Sequence, residues 1–372
     1  MKRVLFVSKN WGYGYGMGVQ YLGDAVKKGG NSVLVGMPSP TMNPVDVIID
    51  TGYPGDTPFE QTVEFKKYAP TYLSTDFETY PLPKEFFTAL EVYDGVIVHS
   101  NYEKSLYELS GATPEQLSKI TVIPFPVMYD LPNLTKDNYR EGSGIASDTF
   151  VIGAIGSPSI RKGFVEDAIV YLNTFATTDK RNVVLIFRPT PYPAFMEMGK
   201  QLFAMIKSLK AQSGIDLDIK VISDPEFDTI KFYNTLDAVI SLHHAEGFGL
   251  HLAEASLLDK QIIATSYSGN VDFMNESTAY MVPAVPSYNT DPYAMFKPTQ
   301  LWVDPILPAA SQQLAVAYND FINKTPRSNK QNYKQFYEAT LTKLDKFIAS
   351  NTTRSSVDAS KRITVTDKLI EL

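Results

Sequence analysis

Short runs rich in Val, Ile and Leu alternate with longer amphipathic stretches along most of the chain. Runs that are apolar along their whole length are typical of parallel strands covered on both faces. The predicted strands are residues 4–7, 32–35, 47–49, 72–74, 95–98 and 121–123, and then 150–154, 182–187, 219–222, 238–241, 261–264 and 279–282. Amphipathic stretches predict helices at 18–28, 100–109, 165–174 and 194–212. This alternation predicts an α/β chain with parallel sheets.

The pattern runs twice, and the two runs are separated by a polar stretch at 128–147 that is rich in Asn, Asp, Gly and Ser. Such turn-forming composition is typical of a linker. We therefore predict two open α/β domains, with further helices at 310–323 and 329–350 and a polar tail from 351. Ligands of open α/β sheets bind at the carboxyl ends of the strands, so the residues that follow each strand are the candidates for chemistry.

The composition is that of a globular protein, with 372 residues, 44% of them apolar and 20% charged. There is no cysteine, which excludes disulfides and cysteine-based metal sites and leads us to expect a reducing, cytoplasmic location. The apolar run after Met1-Lys2-Arg3 is shorter than the roughly 7–15 residues of a signal peptide, and no run approaches the roughly 18 of a membrane span. The formal net charge of −7 lacks the strongly basic footprint of a nucleic-acid binder.

The richest chemistry follows the predicted strand at 238–241. Gly247 and Gly249 let the backbone approach a ligand closely, and the first amides of the following helix can bind phosphate. Glu246 precedes that helix and Glu254 lies about two turns inside it, on roughly the same side. Carboxylates accept hydrogen bonds from the paired hydroxyls of a sugar or a ribose. On spacing alone, an ordinary strand–loop–helix connection explains the segment equally well.

Glu246-Gly-Phe-Gly-Leu with Glu254 resembles the E-x7-E signature of retaining GT-B glycosyltransferases, family 4 in particular. Other segments resemble the same family in the same order, over most of residues 1–320. They are residues 94–100 with 122–124, Gly156-Ser-Pro-Ser-Ile-Arg-Lys-Gly163, Tyr267-Ser-Gly-Asn-Val-Asp-Phe-Met274 and Trp302-Val-Asp-Pro305.

The resemblance implies a GT-B fold, in which two Rossmann-like parallel-sheet domains face each other across a cleft. Residues 1–128 would bind the acceptor, residues 129–325 would bind the nucleotide sugar, and residues 326–372 would return toward the first domain as helices and a polar tail. The implied activity is transfer, with retention, of a sugar from a UDP- or GDP-sugar to an acceptor hydroxyl.

The resemblance also implies roles for individual residues. Arg161 and Lys162 would neutralise the diphosphate leaving group, Glu246 would hold the transferred sugar, and Glu254 would bind the ribose. Ser157 stands where the family usually has an arginine, so Arg161 is expected to supply that charge from another position. A solvated helix start is the alternative for the two cations. The other donor-binding candidates are Gly16, Met17, Gly18, Ser157, Gly247, Phe248, Gly249 and Leu250.

A glycine- and aromatic-rich loop follows the first strand. A dinucleotide site is excluded, because the G-x-G-x-x-G register fails and no acidic residue ends the second strand. The resemblance implies that this loop closes over the diphosphate at Gly16–Gly18. Trp11, Tyr13 and Tyr15 would then offer flat apolar surfaces to a sugar ring, with Tyr13 and Tyr15 on the acceptor side. A mobile loop with incidental aromatic residues is the alternative.

Acidic residues follow the strand at 72–74, where members of the family often place a histidine or an acid near the reacting carbon. Asp76 is a catalytic candidate, Glu78 an acceptor-side candidate, and either could position the acceptor hydroxyl. Asp76 could instead cap the following turn. In many retaining GT-B enzymes the donor phosphate takes the proton, so no protein nucleophile is required. His99 is assigned to the acceptor side, with a core or capping role as its alternative.

His243 and His244 lie close to Glu246, but they lack the spacing of a helical zinc motif, so we predict no metal and no cofactor beyond the donor substrate. Residues 1–128 contain 10 Lys and Arg and 14 Asp and Glu. This balance is poorly suited to an anionic membrane or a DNA duplex. A glycan, protein or small molecule is therefore the expected acceptor. Transfer to a modified DNA base, as in some phage enzymes, and a nucleotide-sugar-binding or hydrolysing protein of the same fold stay as alternatives.

Overall fold

The chain forms two compact units, one made of Met1–Val127 with the chain from Phe336 onward, and the other of Met128–Gln335. The computed structural model describes residues 1–8, 15–38, 44–127, 140, 144–176, 182–190, 196–222, 224, 228–291 and 296–351.

The first unit contains a six-stranded parallel sheet in the order β2-β1-β3-β4-β5-β6. Its strands are β1 (Arg3–Ser8), β2 (Ser32–Val35), β3 (Val47–Thr51), β4 (Thr71–Ser74), β5 (Gly95–Val98) and β6 (Ile120–Val122). Its helices are α1 (Tyr15–Lys28), α2 (Phe59–Phe65), α3 (Lys84–Val92), α4 (Asn101–Leu109) and α5 (Pro114–Ser118). Strand β1 lies between β2 and β3, and Val4, Leu5 and Val7 are fully buried there, which is why this run is apolar throughout.

The second unit contains another six-stranded parallel sheet, in the order β12-β11-β10-β7-β8-β9. Its strands are β7 (Phe150–Gly156), β8 (Val183–Pro189), β9 (Asp218–Val221), β10 (Ala238–Ser241), β11 (Gln261–Thr265) and β12 (Tyr280–Val282). Its helices are α6 (Phe164–Phe175), α7 (Met196–Ser213), α8 (Thr229–Thr235), α9 (Leu250–Leu257) and α10 (Leu307–Asn323). Helix α11 (Lys330–Ser350) begins in this unit and continues into the first.

Every predicted strand is present, which confirms the prediction of an α/β chain with two parallel sheets. The short helices α2, α3, α5 and α8 are not among the predicted helices, and two further features differ from expectation. Helix α1 begins at Tyr15, so Gly16 and Gly18 lie in its first turn and not in the preceding loop. An antiparallel hairpin of β13 (Ala284–Tyr288) and β14 (Leu301–Pro305) was not predicted, since β13 is largely exposed and contains Pro286.

The core of the second unit lies between its sheet and the helices that cover it. Ala310, Leu314 and Ala317 are fully buried and share one face of α10, because they recur at helical spacing. They pack in one cluster with Phe150 of β7 and Tyr171 of α6. This packing holds β7 and α6 together, and the candidate cations lie in the turn between them. In the described ranges, no helix is both long and apolar enough to cross a membrane.

Candidate functional site

The turn between β7 and α6 brings Arg161 and Lys162 to the end of β10. These residues form a short 3-10 turn, Ile160–Lys162, which ends at Gly163 with a left-handed φ of 72°. A Cβ at Gly163 would lie 2.1 Å from the carbonyl oxygen of Leu242, which follows β10. Only glycine combines this conformation with so close an approach, so Gly163 seats the two cations beside the predicted donor segment.

Glu246 is the centre of a buried ion cluster. Its Oε1 accepts from Lys162 Nζ at 2.5 Å and lies 3.3 Å from Arg161 Nη1. The side chain of Glu246 is 6% exposed, while those of Lys162 and Arg161 are 12% and 14% exposed. Burial favours the neutral acid, but the ammonium and guanidinium groups outweigh it and hold the pKa of Glu246 below its usual range. The carboxylate is therefore ionised at neutral pH.

The loop after β11 holds the backbone of Glu246. The Glu246 amide donates to Ser268 Oγ at 2.8 Å, and the Gly269 amide donates to the Glu246 carbonyl at 2.9 Å. A Cβ at Gly269 would lie 2.0 Å from the Gly247 carbonyl oxygen, so this contact requires glycine. Ser268 adopts a left-handed φ of 75°, an unfavourable conformation for a non-glycine residue that is held by these hydrogen bonds.

Glu254 is held by a different kind of partner. Its Oε2 lies 2.8 Å from the hydroxyl of Tyr233, which is also 3.0 Å from the His251 carbonyl oxygen. Tyr233 is fully buried on α8, and Glu254 is 8% exposed. The two glutamates of the E-x7-E pattern thus differ in environment, since Glu246 faces cations and Glu254 faces a phenol.

The entrance to α9 favours an anion. Gly249, with a φ of 92°, is its N-cap residue, no side chain caps the helix, and Leu250 is its first residue. The helix N-terminus carries a positive partial charge, and the Lys162–Arg161–Glu246 cluster carries a formal charge of about +1. The side chain of Phe248 is buried against Phe273 with ring centroids 5.2 Å apart. Its part in ligand binding is therefore restricted to the backbone.

A hydrogen-bonded chain of polar residues lies beneath this loop. Asn270 Nδ2 donates to the Thr265 carbonyl at 3.0 Å, so its Oδ1 accepts from His243 Nε2 at 3.1 Å. His243 Nδ1 then accepts from Ser241 Oγ at 3.1 Å, and Ser241 Oγ accepts from His251 Nε2 at 3.0 Å. Burial lowers the pKa of His243 and lowers that of His251 to about 3, so both rings are neutral.

The hairpin β13–β14 surrounds Arg161 and His244. The Arg161 amide donates to Asp291 Oδ2 at 3.1 Å, its Nη1 donates to the Ala245 carbonyl at 2.8 Å, and its guanidinium lies 6.0 Å from the Phe296 ring centroid. His244 stacks on Trp302 of β14 at 4.5 Å. The Trp302 motif of the sequence therefore lies against the segment that contains Glu246.

Ser157 lies in the same turn as the cations. It is half-buried, and its carbonyl accepts from the Ser159 amide at 2.8 Å. The adjacent Gly156 packs against the aliphatic part of Lys162, since a Cβ added at position 156 would lie 3.4 Å from Lys162 Cδ.

In the first unit, Gly18 and His99 meet through Phe125. A Cβ at Gly18 would lie 2.6 Å from the Phe125 ring, which stacks on His99 with centroids 3.6 Å apart. His99 is fully buried, donates from Nδ1 to the Ile123 carbonyl at 2.9 Å and accepts at Nε2 from Ser74 Oγ at 3.1 Å. Burial lowers the pKa of His99 to about 4, and the ring has the environment of a core residue.

Asp76 is half-buried beside Glu103, a residue that the sequence analysis did not single out. Glu103 accepts from the amides of Phe77 at 3.1 Å and His99 at 2.5 Å. Burial and the Asp76 charge raise the pKa of Glu103 well above its usual range. The next helix after Asp76 is α3, whose N-cap is Pro83, so Asp76 caps no helix. The sequence feature that could have identified Glu103 is its position three residues after Ser100, the N-cap of α4, because a glutamate at this spacing is typical of a helix start.

Fewer contacts are described for the remaining candidates. Glu78 is buried, and its carbonyl accepts from the Tyr102 hydroxyl at 2.7 Å. Met17 lies half-buried in α1 between buried Gly16 and Gly18. Trp11, Tyr13 and the side chain of Tyr15 lie outside the described residues. Within the described ranges, no group of three or more His, Asp or Glu side chains is arranged to hold a metal ion.

Tyr233, Asp291 and Ser268 are site residues that sequence reasoning missed. Ser268 lies inside the motif at residues 267–274, but no feature of the neighbouring sequence predicts that its hydroxyl accepts a hydrogen bond from the Glu246 amide. Tyr233 and Asp291 reach the site from α8 and from the hairpin, and no spacing rule connects them with Glu254 or Arg161.

Comparison with known proteins supports the fold. No protein-family model matches this chain, and comparison with curated proteins finds no similar sequence. Sucrose-phosphate synthase from Thermosynechococcus elongatus superposes with a TM-score of 0.62 at 14% identity, covering 94% of this chain and 98% of that one. Anabaena Alr3699/HepE in complex with UDP and glucose gives 0.60 at 14% identity, covering 94% and 99%. A glycosyltransferase from Rickettsia africae ESF-5 gives 0.57 at 17%, covering 96% and 95%. The fold of this chain is therefore that of GT-B glycosyltransferases.

Proposed function

We propose that this protein is a retaining glycosyltransferase of the family 4 type, which transfers a hexose or pentose from a UDP- or GDP-sugar to an acceptor hydroxyl. The observation that carries the proposal is the convergence of Lys162 and Arg161 on one oxygen of Glu246, at the N-terminus of α9. Relatives of the same fold are sugar transferases, and one of them is described with UDP and glucose.

The donor half of the reaction follows from the charges of this cluster. Transfer of the sugar leaves a nucleoside diphosphate, and negative charge develops on it as the glycosidic bond breaks. Lys162, Arg161 and the amides at Gly249–Leu250 stabilise that charge, because preorganised donors in a buried site act strongly on developing charge. Glu246 binds hydroxyls of the transferred sugar, and Glu254, held by Tyr233, binds those of the ribose. These residues need no metal ion to carry the charge.

The acceptor half is assigned to the first unit. Asp76 and Glu78 follow β4 and are the groups proposed to position the acceptor hydroxyl. The proton of the acceptor passes to the leaving phosphate. The acceptor is a glycan, a protein or a small molecule, in keeping with the acidic balance of residues 1–128.

The proposal is tested by incubating the protein with a panel of UDP- and GDP-sugars, with and without candidate acceptors, and following nucleotide release. We expect release that depends on an acceptor, and a product with the same anomeric configuration as the donor by NMR. Release of sugar to water alone would identify a hydrolase, and binding without turnover would identify a binding protein. An inverted product would contradict retention.

Variants of the ion cluster test the site. We expect Glu246→Gln and Lys162→Gln each to reduce kcat/KM by about 100-fold or more, because each removes a charge that acts on the reacting groups. Glutamine at position 246 keeps the shape of the side chain, so the loss is not caused by a cavity.

The matched controls are Glu197→Gln and Lys200→Gln on α7. This pair has the same residue types at 3.3 Å, but its side chains are 74% and 71% exposed. Exposed pairs contribute little, so activity should stay within about twofold of the wild type. Near wild-type transfer by both Glu246→Gln and Lys162→Gln would overturn the site assignment.

A further inference from the structure

His244 lies between two carboxylates at the rear of the donor segment. Its Nδ1 is 2.8 Å from the Val303 carbonyl oxygen and 2.9 Å from Asp304 Oδ1. Its Nε2 is 3.6 Å from Glu166 Oε1, an ion-pair distance that is longer than a hydrogen bond. The ring is 6% exposed and stacks on Trp302.

This geometry favours the imidazolium form. Nδ1 faces two acceptors and therefore carries a proton. In a neutral ring, Nε2 would present a lone pair to the Glu166 carboxylate inside a buried environment. Protonation of Nε2 replaces that repulsion by attraction. The ionisable groups that face His244 are Glu166 from α6 and Asp304 from β14, while the guanidinium of neighbouring Arg161 is directed to Ala245 and Glu246.

The backbone of His244 connects this pair of carboxylates to Arg161. The His244 amide donates to the Arg161 carbonyl at 2.8 Å, and the Val303 amide donates to the His244 carbonyl at 3.2 Å. His244 therefore joins three elements, namely the turn that contains Arg161, the segment that leads to Glu246, and β14. Glu166 lies in the first turn of α6, the helix whose N-cap residue is Gly163.

We propose that His244 is a positioning residue whose positive charge, held between Glu166 and Asp304, keeps Arg161 and Glu246 in place for the donor diphosphate. The inference rests on the proposed function. It makes donor affinity depend on pH through a residue that does not touch the donor.

The direction of the pH dependence follows from the charge pair. Burial alone would lower the pKa of His244, but Glu166 and Asp304 outweigh it and raise that pKa above its ordinary value. A group with a raised folded-state pKa contributes its full stabilisation below the ordinary pKa, and loses it as the pH rises through the raised value. Donor binding should therefore be tighter at about pH 6 than at about pH 8.5.

Two measurements test this. The first is an NMR titration of the four histidines in ligand-free protein, with His244 assigned by its disappearance in His244→Gln. The second is the Kd for UDP-glucose by calorimetry at the two pH values; the diphosphate of a nucleotide sugar has no proton that titrates in this range. For the wild type we expect the Kd to rise roughly three- to tenfold at the higher pH, since one pKa unit of coupling corresponds to a tenfold change.

The variants separate charge from packing. His244→Gln should give a Kd for UDP-glucose that hardly changes with pH and stays near the weaker wild-type value. Glu166→Gln should move the His244 titration and the midpoint of the binding profile to lower pH. Glu197→Gln, on the exposed pair of α7, should move neither.

The inference is overturned if His244 titrates at or below the ordinary histidine pKa, or if His244→Gln keeps the wild-type pH profile. Absence of UDP-glucose binding by the wild type at both pH values would count against the proposed function with this donor. The NMR titration would still decide the charge on His244, because it requires no ligand.

Discussion

At the scale of residues, the candidate site is built from buried charges whose partners differ. Glu246 is ionised because two cations lie beside it, while Glu254 receives a hydrogen bond from a phenol. Among the described residues, no charged side chain lies at hydrogen-bond distance from His243 or His251, and both rings are neutral, whereas His244 lies between carboxylates. The pKa values of three histidines within one short segment are thus shifted in opposite directions, because burial lowers the pKa of His243 and His251 while neighbouring carboxylates raise that of His244.

Tyr233 provides the residue-scale prediction. Tyr233→Phe removes the hydroxyl that lies 2.8 Å from Glu254 Oε2, and hydrogen bonds to charged groups contribute about 1.5–3 kcal/mol. We expect the KM for the nucleotide sugar to rise roughly tenfold or more, with kcat little changed, because the proposed ribose contact is remote from the reacting carbon.

The control for this prediction is Tyr171→Phe. Tyr171 is equally buried in the same unit, and its hydroxyl bonds the carbonyls of Val183 and Asp218. It should lower the free energy of unfolding without changing the KM. An unchanged KM in Tyr233→Phe would remove Glu254 from the donor site.

At the scale of elements, the site depends on connections between strands and helices. The Ile160–Lys162 turn contacts the segment after β10 through Gly163. The loop after β11 forms a hydrogen bond with the backbone of Glu246, and the loop of the β13–β14 hairpin accepts one from the Arg161 amide. Each of these contacts joins segments distant in the chain. The strands of the two parallel sheets were predictable, because apolar runs are properties of neighbouring residues, whereas the β13–β14 hairpin was not.

Gly163→Ala tests the turn. A methyl group there would meet the Leu242 carbonyl oxygen at 2.1 Å, in addition to the strain of a left-handed conformation. We expect the free energy of unfolding in urea to fall by about 3 kcal/mol or more, and transfer activity to fall with it as Lys162 is displaced.

Gly214→Ala is the matched control, because Gly214 has a φ of 66° and nothing within 4 Å of the added carbon. It should cost only the conformational strain, about 1–2 kcal/mol, and leave activity intact. Equal destabilisation by the two variants would show that the contact between Gly163 and Leu242 does not constrain the turn.

At the scale of the whole molecule, the two units have separate sheets, and the proposed function assigns the acceptor to the first and the donor to the second. The second unit contains Arg161 and Lys162, the cations proposed to neutralise the diphosphate, and the two glutamates Glu246 and Glu254. The first unit contains Asp76, Glu78 and the stack of Gly18, Phe125 and His99. A donor should therefore stabilise one unit locally.

Hydrogen exchange tests this division. With saturating UDP-glucose, we expect slower exchange of the amides at 156–163 and 245–251, because ligand binding suppresses local opening around the site. The amides of α7 (Met196–Ser213) lie in the same unit but outside the site, and their exchange should be unchanged. Protection confined to the first unit would contradict the assignment of the donor to the second.

The sequence by itself determined the order and type of the main elements, the two parallel sheets, and the segments that carry candidate chemistry. These are local properties, since a strand run or a helix start is encoded by adjacent residues. Only the tertiary structure decided the partners: the cations that share one oxygen of Glu246 across 84 residues, the tyrosine on Glu254, the hairpin around Arg161, and the burial of Phe248. Such contacts depend on strand order and on close backbone approach, which no local spacing specifies.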